Sequence, residues 1–164
     1  MNPAHYHLVL NHLPIIVTVI GLLVMIGGHI FQIEAVKRTA YFIFIFGALC
    51  TIPAFATGEG AEETIENIQG ISEQLIETHE ETAETFAILS YLLGAISLLG
   101  LWANWRQKSF SNLLSFATLI FCGVVLFFAK QTGTTGGEIR HTEIRNESGI
   151  IPAGADRGTE KKED

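Results

Sequence analysis

Four apolar blocks set the rhythm of the chain: residues 13–33, 39–56, 85–105 and 110–129, each nearly free of charge. A bilayer core of about 30 Å takes roughly 20 helical residues. In that medium every backbone N–H and C=O has to be satisfied within the span. The pattern therefore predicts an all-α protein, a four-transmembrane-helix bundle over residues 1–132, followed by a short C-terminal tail at 133–164. The tail is polar and Gly-rich, and its end, "DRGTEKKED", has no apolar anchor and reads as disordered.

The connection between the second and third blocks is polar but not irregular. Ala61, Ile65 and Ile68 fall at helical spacing, as do Leu75, Ile76, His79, Ala83, Phe86 and Ala87. Gly70 and Ser72 mark a break, the glycine able to end one helix and the serine able to cap the next. Helices two and three are thus expected to extend outward beyond the membrane, twelve extra residues rising about 18 Å. Asn2 is a capping residue with Pro3 at the first helical position. Pro14 is expected to kink the first helix one turn below His12.

Charge orients the bundle. Lys37 and Arg38 follow the first block, and Arg106 and Lys108 follow the third. The connection between them has no Lys or Arg, only Glu59, Glu62, Glu63, Glu66, Glu73, Glu77, Glu80, Glu81 and Glu84. The positive-inside rule places the basic turns in the cytoplasm and both termini outside, with Trp102 and Trp105 at the inner interface. No basic segment precedes the first block, so no removed signal peptide is expected. A net charge of −7 argues against nucleic acid as a partner. Cys50 and Cys122 lie in different spans and read as packing residues. No CxxCH is present, which excludes covalent c-type haem.

The histidines carry the candidate chemistry. Under this topology His5, His7, His12, His79 and His141 share the outward side, and His29 lies near the other. His79 sits on the apolar stripe of its helix and so points into the bundle. His12, at the membrane boundary, shares a helix face with His5, while His7 is displaced from it by roughly 140°. His7 and His12 are therefore read as serving two different centres, or one centre with the other histidine supporting a ligand. His141 lies in "TTGGEIRHTEI", where Gly136 and Gly137 are expected to turn the chain back over the bundle mouth. His5 and His29 are read as structural. Ionisable groups in a membrane bundle are costly and mark function, so His7, His12, His79 and His141 are the candidate ligands.

"HLVLNHLPI" resembles the His-x4-His-aromatic/Leu-Pro opening of a family of small bacterial inner-membrane proteins with four helices and no assigned activity. "TGEGAEE", "SEQLIETHEETAE" and "GGEIRHTEI" look like further signatures of one branch, and the likeness covers nearly the whole chain before the tail. It is specific for membership and not for chemistry. It implies the bacterial inner membrane and, because relatives are joined to Rieske or c-type cytochrome domains, electron transfer on the outward, periplasmic side. The positions that match by motif are His7, His12, His79, Gly136 and Gly137. The wider family looks like Gly-Gly-x-Leu-Val-Tyr-x-His where this chain reads Gly-Gly-Glu-Ile-Arg-His, so His141 stands in the place of a tyrosine.

The leading expectation is a membrane b-type cytochrome-like electron-transfer protein with one or two haem b groups held by histidines. Bundle cores supply the apolar slot and the axial ligands. His12 with His79 is the preferred pair, His7 with His141 a second, and Arg140 a partner for a propionate. Such a protein would be an electron-transfer subunit rather than a free-standing enzyme, exchanging electrons with a periplasmic redox protein, subunits of a membrane complex or quinone. The alternative is a Zn, Cu or Fe ion held by the same histidines with Glu59, Glu62, Glu63, Glu80 and Glu143. A third possibility is a structural subunit of a membrane complex whose histidines bridge helices.

Overall fold

The computed structural model describes residues 2–65 and 71–145. Gly70, Ile68, Glu66 and the end of the tail, on which some of the expectations above fall, lie outside those residues. The described chain forms α1 (Pro3–Leu10), α2 (His12–Ile30), α3 (Glu34–Ala56), α4 (Gly58–Ile65), α5 (Glu73–Trp105) and α6 (Ser111–Arg140). A single 3-10 turn, Thr142–Ile144, follows, and there is no strand among the described residues.

Two of the four membrane-length rods are broken once. Asn2 accepts a hydrogen bond from the His5 N–H and caps α1, with Pro3 in its first turn. Pro14 has no N–H to offer the Leu10 carbonyl, and its ring crowds the turn before it. The break accordingly falls at Asn11, N-terminal to Pro14 and just before His12, rather than one turn below His12. Pro53 acts in the same way inside α3, which ends at Ala56 before α4 resumes at Gly58. Ser72 caps α5 by accepting the Leu75 N–H at 3.4 Å.

Four helical segments, Pro3–Ile30, Glu34–Ile65, Glu73–Trp105 and Ser111–Arg140, are long and apolar enough to cross a membrane. At 28–33 residues each, they exceed the roughly 20 that a bilayer core needs. Their surplus stands at the acidic end, where α4 and the first turns of α5 carry the glutamates. α6 runs past the boundary expected at residue 132 and continues to Arg140. Gly136 and Gly137 are therefore inside a helix and do not turn the chain back.

The rods alternate in direction, and each packs on its sequence neighbour: α2 on α3, α3 on α5, α5 on α6, with α6 closing on α2 and α1 lying against α4. Both turns at the basic end are tight. Gln32 and Gln107 take left-handed backbone (φ 55° and 49°). Ile33 N–H then reaches back to Gly28 O, and Lys108 N–H to Ala103 O, the six-to-one closure that satisfies orphan helix carbonyls.

Met25, Tyr41, Phe44, Phe86, Leu93 and Val125 fill the interior. Leu23, Phe31, Leu113 and Phe127 face outward, as lipid-facing positions do. Small residues allow the helices to approach: a Cβ added at Gly94 would stand 2.6 Å from the Ala48 Cβ. At the basic end Lys37, only 3% exposed, donates to Glu34 at 2.8 Å and to Asn112 at 2.7 Å. Arg38 Nε donates to Asn104 Oδ1 at 2.6 Å, and Asn104 Nδ2 donates to Glu34. This network ties α3, α5 and α6 together. Trp102 and Trp105 are exposed beside it, with Lys108 over the Trp102 ring.

Candidate functional site

Two imidazoles meet at the acidic end. The ring centroids of His7 (α1) and His79 (α5) are 6.5 Å apart, with the planes at 81°. Both rings are half-buried in the projecting part of the bundle, beyond the apolar blocks.

Each ring is held by its Nδ1. That of His7 lies 3.1 Å from the Ala54 carbonyl and 3.3 Å from Thr57 Oγ1. A carbonyl can only accept, so Nδ1 carries the proton. Thr57 spends its own hydroxyl proton on the Pro53 and Ala54 carbonyls, which leaves its oxygen as a second acceptor. His79 Nδ1 lies 3.0 Å from Thr135 Oγ1, whose proton goes to the Thr132 carbonyl. Thr82 Oγ1 is also 3.0 Å from Thr135 Oγ1, and Thr132 donates to the Thr82 carbonyl at 3.0 Å. This set of threonines pins α6 to α5 under the ring.

The carbonyl partner leaves His7 Nε2 with its lone pair, and the tautomer in which His79 Nδ1 donates to Thr135 does the same for His79. Imidazoles that ligate metals commonly have this arrangement, a fixed Nδ1–H donor and a free Nε2. Burial lowers the pKa of both rings. Ala54 partly offsets this for His7, while the neighbouring His7 lowers His79 further against the Thr132 carbonyl. Burial thus favours the neutral form of both rings. The ground around them is small-residued: a Cβ on Gly136 would lie 2.9 Å from His79 Cε1, and one on Gly58 would lie 3.9 Å from His7 Cε1.

The other expected ligands do not join this pair. His12 is exposed and bonded only to the Leu8 carbonyl of its own helix, at 3.2 Å. The expected His12–His79 pairing is replaced by His7–His79, because the face of the first helix that meets the bundle is the one bearing His7. His141 is exposed and paired with Glu143 at 2.9 Å, away from His7, and Arg140 is exposed. Glu59, Glu63, Glu80 and Glu143 are exposed and Glu62 is partly buried. Among the described residues no three His, Cys, Asp or Glu side chains are grouped so as to hold a metal ion. His29 packs edge-on against Phe116 at the basic end. Cys50 and Cys122 are free, with Cys122 in the core.

The sequence reading did not find the Glu34–Lys37–Asn104–Asn112 network. The signal was available in Lys37 lying four residues before Tyr41 on the inward stripe of α3, with Asn104 and Asn112 facing each other across the second basic turn.

The fold and its composition define a multi-pass membrane protein built on a four-helix bundle. Comparison with protein-family models, with curated proteins and with solved structures returned no match.

Proposed function

We propose that this chain is a b-type cytochrome-like electron-transfer protein of a bacterial inner membrane, in which His7 and His79 would hold one haem b near the periplasmic face. The observation that carries the reading is the imidazole pair itself. A metal–imidazole bond of about 2 Å on each side puts the centroids of two rings sharing one metal about 6 Å apart, against 6.5 Å here. A small ion wants about four protein or water donors, whereas a porphyrin supplies four nitrogens and asks the protein for one or two. Two imidazoles that no third His, Cys, Asp or Glu joins in a metal-holding group among the described residues favour haem iron over a bare Zn, Cu or Fe ion.

Bound haem would supply a reversible one-electron change at iron. The chain's own residues do the rest. Ala54, Thr57 and Thr135 orient the two rings, burial favours their neutral form, and the missing Cβ at Gly136 lets α6 lie against the His79 ring. The basic turns set the orientation, with Lys37, Arg38, Arg106 and Lys108 inside and both termini outside. The glutamates around the site would draw in a cationic periplasmic redox protein. Quinone or subunits of a membrane complex are the other candidate partners, and kinship with the small inner-membrane family of the opening motif belongs to the same proposal.

One observation favours a second reading. Each Nδ1 bond also ties two helices, α1 to α3 and α5 to α6, so the pair could be a structural bridge alone. The visible spectrum of protein purified from its native membrane, before and after dithionite, separates the two. The haem reading expects a sharp reduced b-type band, lost in His7→Ala and in His79→Ala and kept in His12→Ala. A colourless protein, or a band lost only in His12→Ala, would overturn it.

A further inference from the structure

Buried polar residues recur down the inward face of α5 every seventh position: Ser90, Ser97 and Asn104. The outer one is bonded across the bundle, Ser90 Oγ to Thr51 Oγ1 at 3.0 Å. The inner one, Asn104, is bonded to Arg38 and Glu34. The middle one is not: Ser97 is fully buried and its Oγ has no hydrogen-bond partner among the described residues. Tyr41 on α3 is fully buried too, and its hydroxyl has no partner within ordinary hydrogen-bond geometry among the described residues, only the longer approaches of Thr118 and Ser115.

Both hydroxyls lie along one face of α5. The Tyr41 phenol covers Gly100, so that a Cβ there would stand 2.6 Å from the phenol oxygen. Ser97 lies three residues earlier on the same face of α5, where side chains start about 5–6 Å apart, the span of one bridging water. Ser115 and Thr118 of α6, both fully buried, face the phenol from the third side. Their own protons go to the Asn112 and Leu114 carbonyls, so their oxygens remain as acceptors. The four hydroxyls stand directly behind the polar network at the basic end. Tyr41 follows Lys37 by four residues, Gly100 precedes Asn104 by four, and Ser115 follows Asn112 by three.

We propose that Tyr41, Ser97, Ser115 and Thr118 form a buried water-binding site, through which the Lys37–Asn104–Asn112 network extends one helical turn into the membrane interior. Unpaired hydroxyls at this depth are costly, and a buried water typically takes about three hydrogen bonds from such groups. The site holds two orphan donors and two acceptor oxygens for it. Under the orientation proposed above, this water lies on the cytoplasmic side, and it is independent of the haem reading.

The test is the thermal unfolding of the full chain in lipid nanodiscs for Tyr41→Phe, Ser97→Ala and the double variant. A shared water predicts that each single variant lowers Tm by about 2–4 °C and that the double variant falls no further than the worse single. If Ser97→Ala leaves Tm unchanged or raises it, the hydroxyl was a true orphan and the site is refuted. Additive losses, or coupling of Tyr41→Phe to Ser115→Ala in place of Ser97→Ala, refute it equally, since the phenol would then bond α6 directly. Should a variant not fold, a structure of the wild type at a resolution that shows ordered water decides: density bridging Tyr41 and Ser97 supports the site, and its absence overturns it.

Discussion

Gly136→Ala is a small change with a specific consequence. The added Cβ would stand 2.9 Å from His79 Cε1, 3.3 Å from Nδ1 and 3.5 Å from Nε2. Carbon pairs settle at about 3.5–4.0 Å, so the imidazole has to retreat by roughly 0.6–1.1 Å. A shift of that size takes the 3.0 Å bond to Thr135 to the edge of hydrogen bonding. It also exceeds the roughly 0.5 Å within which a binding constellation has to be held. Overpacking costs about 1–3 kcal/mol, but replacing glycine by alanine inside α6 returns about 1 kcal/mol of helix propensity. The fold should therefore change by less than about 2 kcal/mol. Disturbing the groups that orient a metal-bound histidine weakens binding by about 10–100-fold. The assay is haem titration of apoprotein in detergent, followed by the reduced spectrum, with unfolding measured in parallel. Gly133→Ala is the control, since a Cβ there meets nothing within 4 Å. It should bind haem normally. Wild-type affinity and spectrum in Gly136→Ala would refute the placement of His79 as a ligand.

Three further outcomes are expected. Burial lowers His7 and His79 below the ordinary value of 6.5, so just below that pH the unfolded chain binds more protons than the folded one. Apoprotein Tm should then fall as pH drops through 6.5, and the fall should be shallower in His79→Gln; an equal slope in that variant would contradict the sign. Lys37→Met keeps the aliphatic stem but removes the donor to Glu34 and Asn112, and should cost about 1–3 kcal/mol, read as a lower Tm in nanodiscs. Gly94→Ala forces a contact with Ala48 that neither helix backbone can relieve by a rotamer change, and should cost about 1–3 kcal/mol; no loss would mean α3 and α5 are not in close contact there.

Much of this fold could be read from periodicity. The four apolar blocks mark the four rods, Asn2 and Ser72 cap helices, and His79 with Ile76, Ala83 and Phe86 lies on the inward stripe of α5. The structure brings His7 rather than His12 up to His79, for a physical reason. In a soluble helix the apolar face marks the core, but in a membrane the bulky apolar residues face lipid and the small or polar ones face the bundle. Along the first rod the inward stripe runs Asn11, Pro14, Thr18, Gly21, Met25 and Gly28, and its backward continuation at seven residues is His7, not His12. Polarity as the inward signal along this rod selects His7 as the histidine that meets the bundle. The end of α6 was hidden for a different reason. Gly133, Gly136 and Gly137 suggest a broken chain, whereas the helix runs on to Arg140 with His79 packed on Gly136 and threonine bonds joining it to α5.

The central claim is that His7 and His79 share one iron, and electron paramagnetic resonance of the oxidised protein tests it most directly. Two imidazoles whose planes stand at 81° as axial ligands of ferric haem should give a highly anisotropic low-spin signal, abolished or converted to high spin in His7→Ala and in His79→Ala. A high-spin signal in the wild type, a low-spin signal that survives both replacements, or no haem iron in the protein purified from its native membrane would contradict the account.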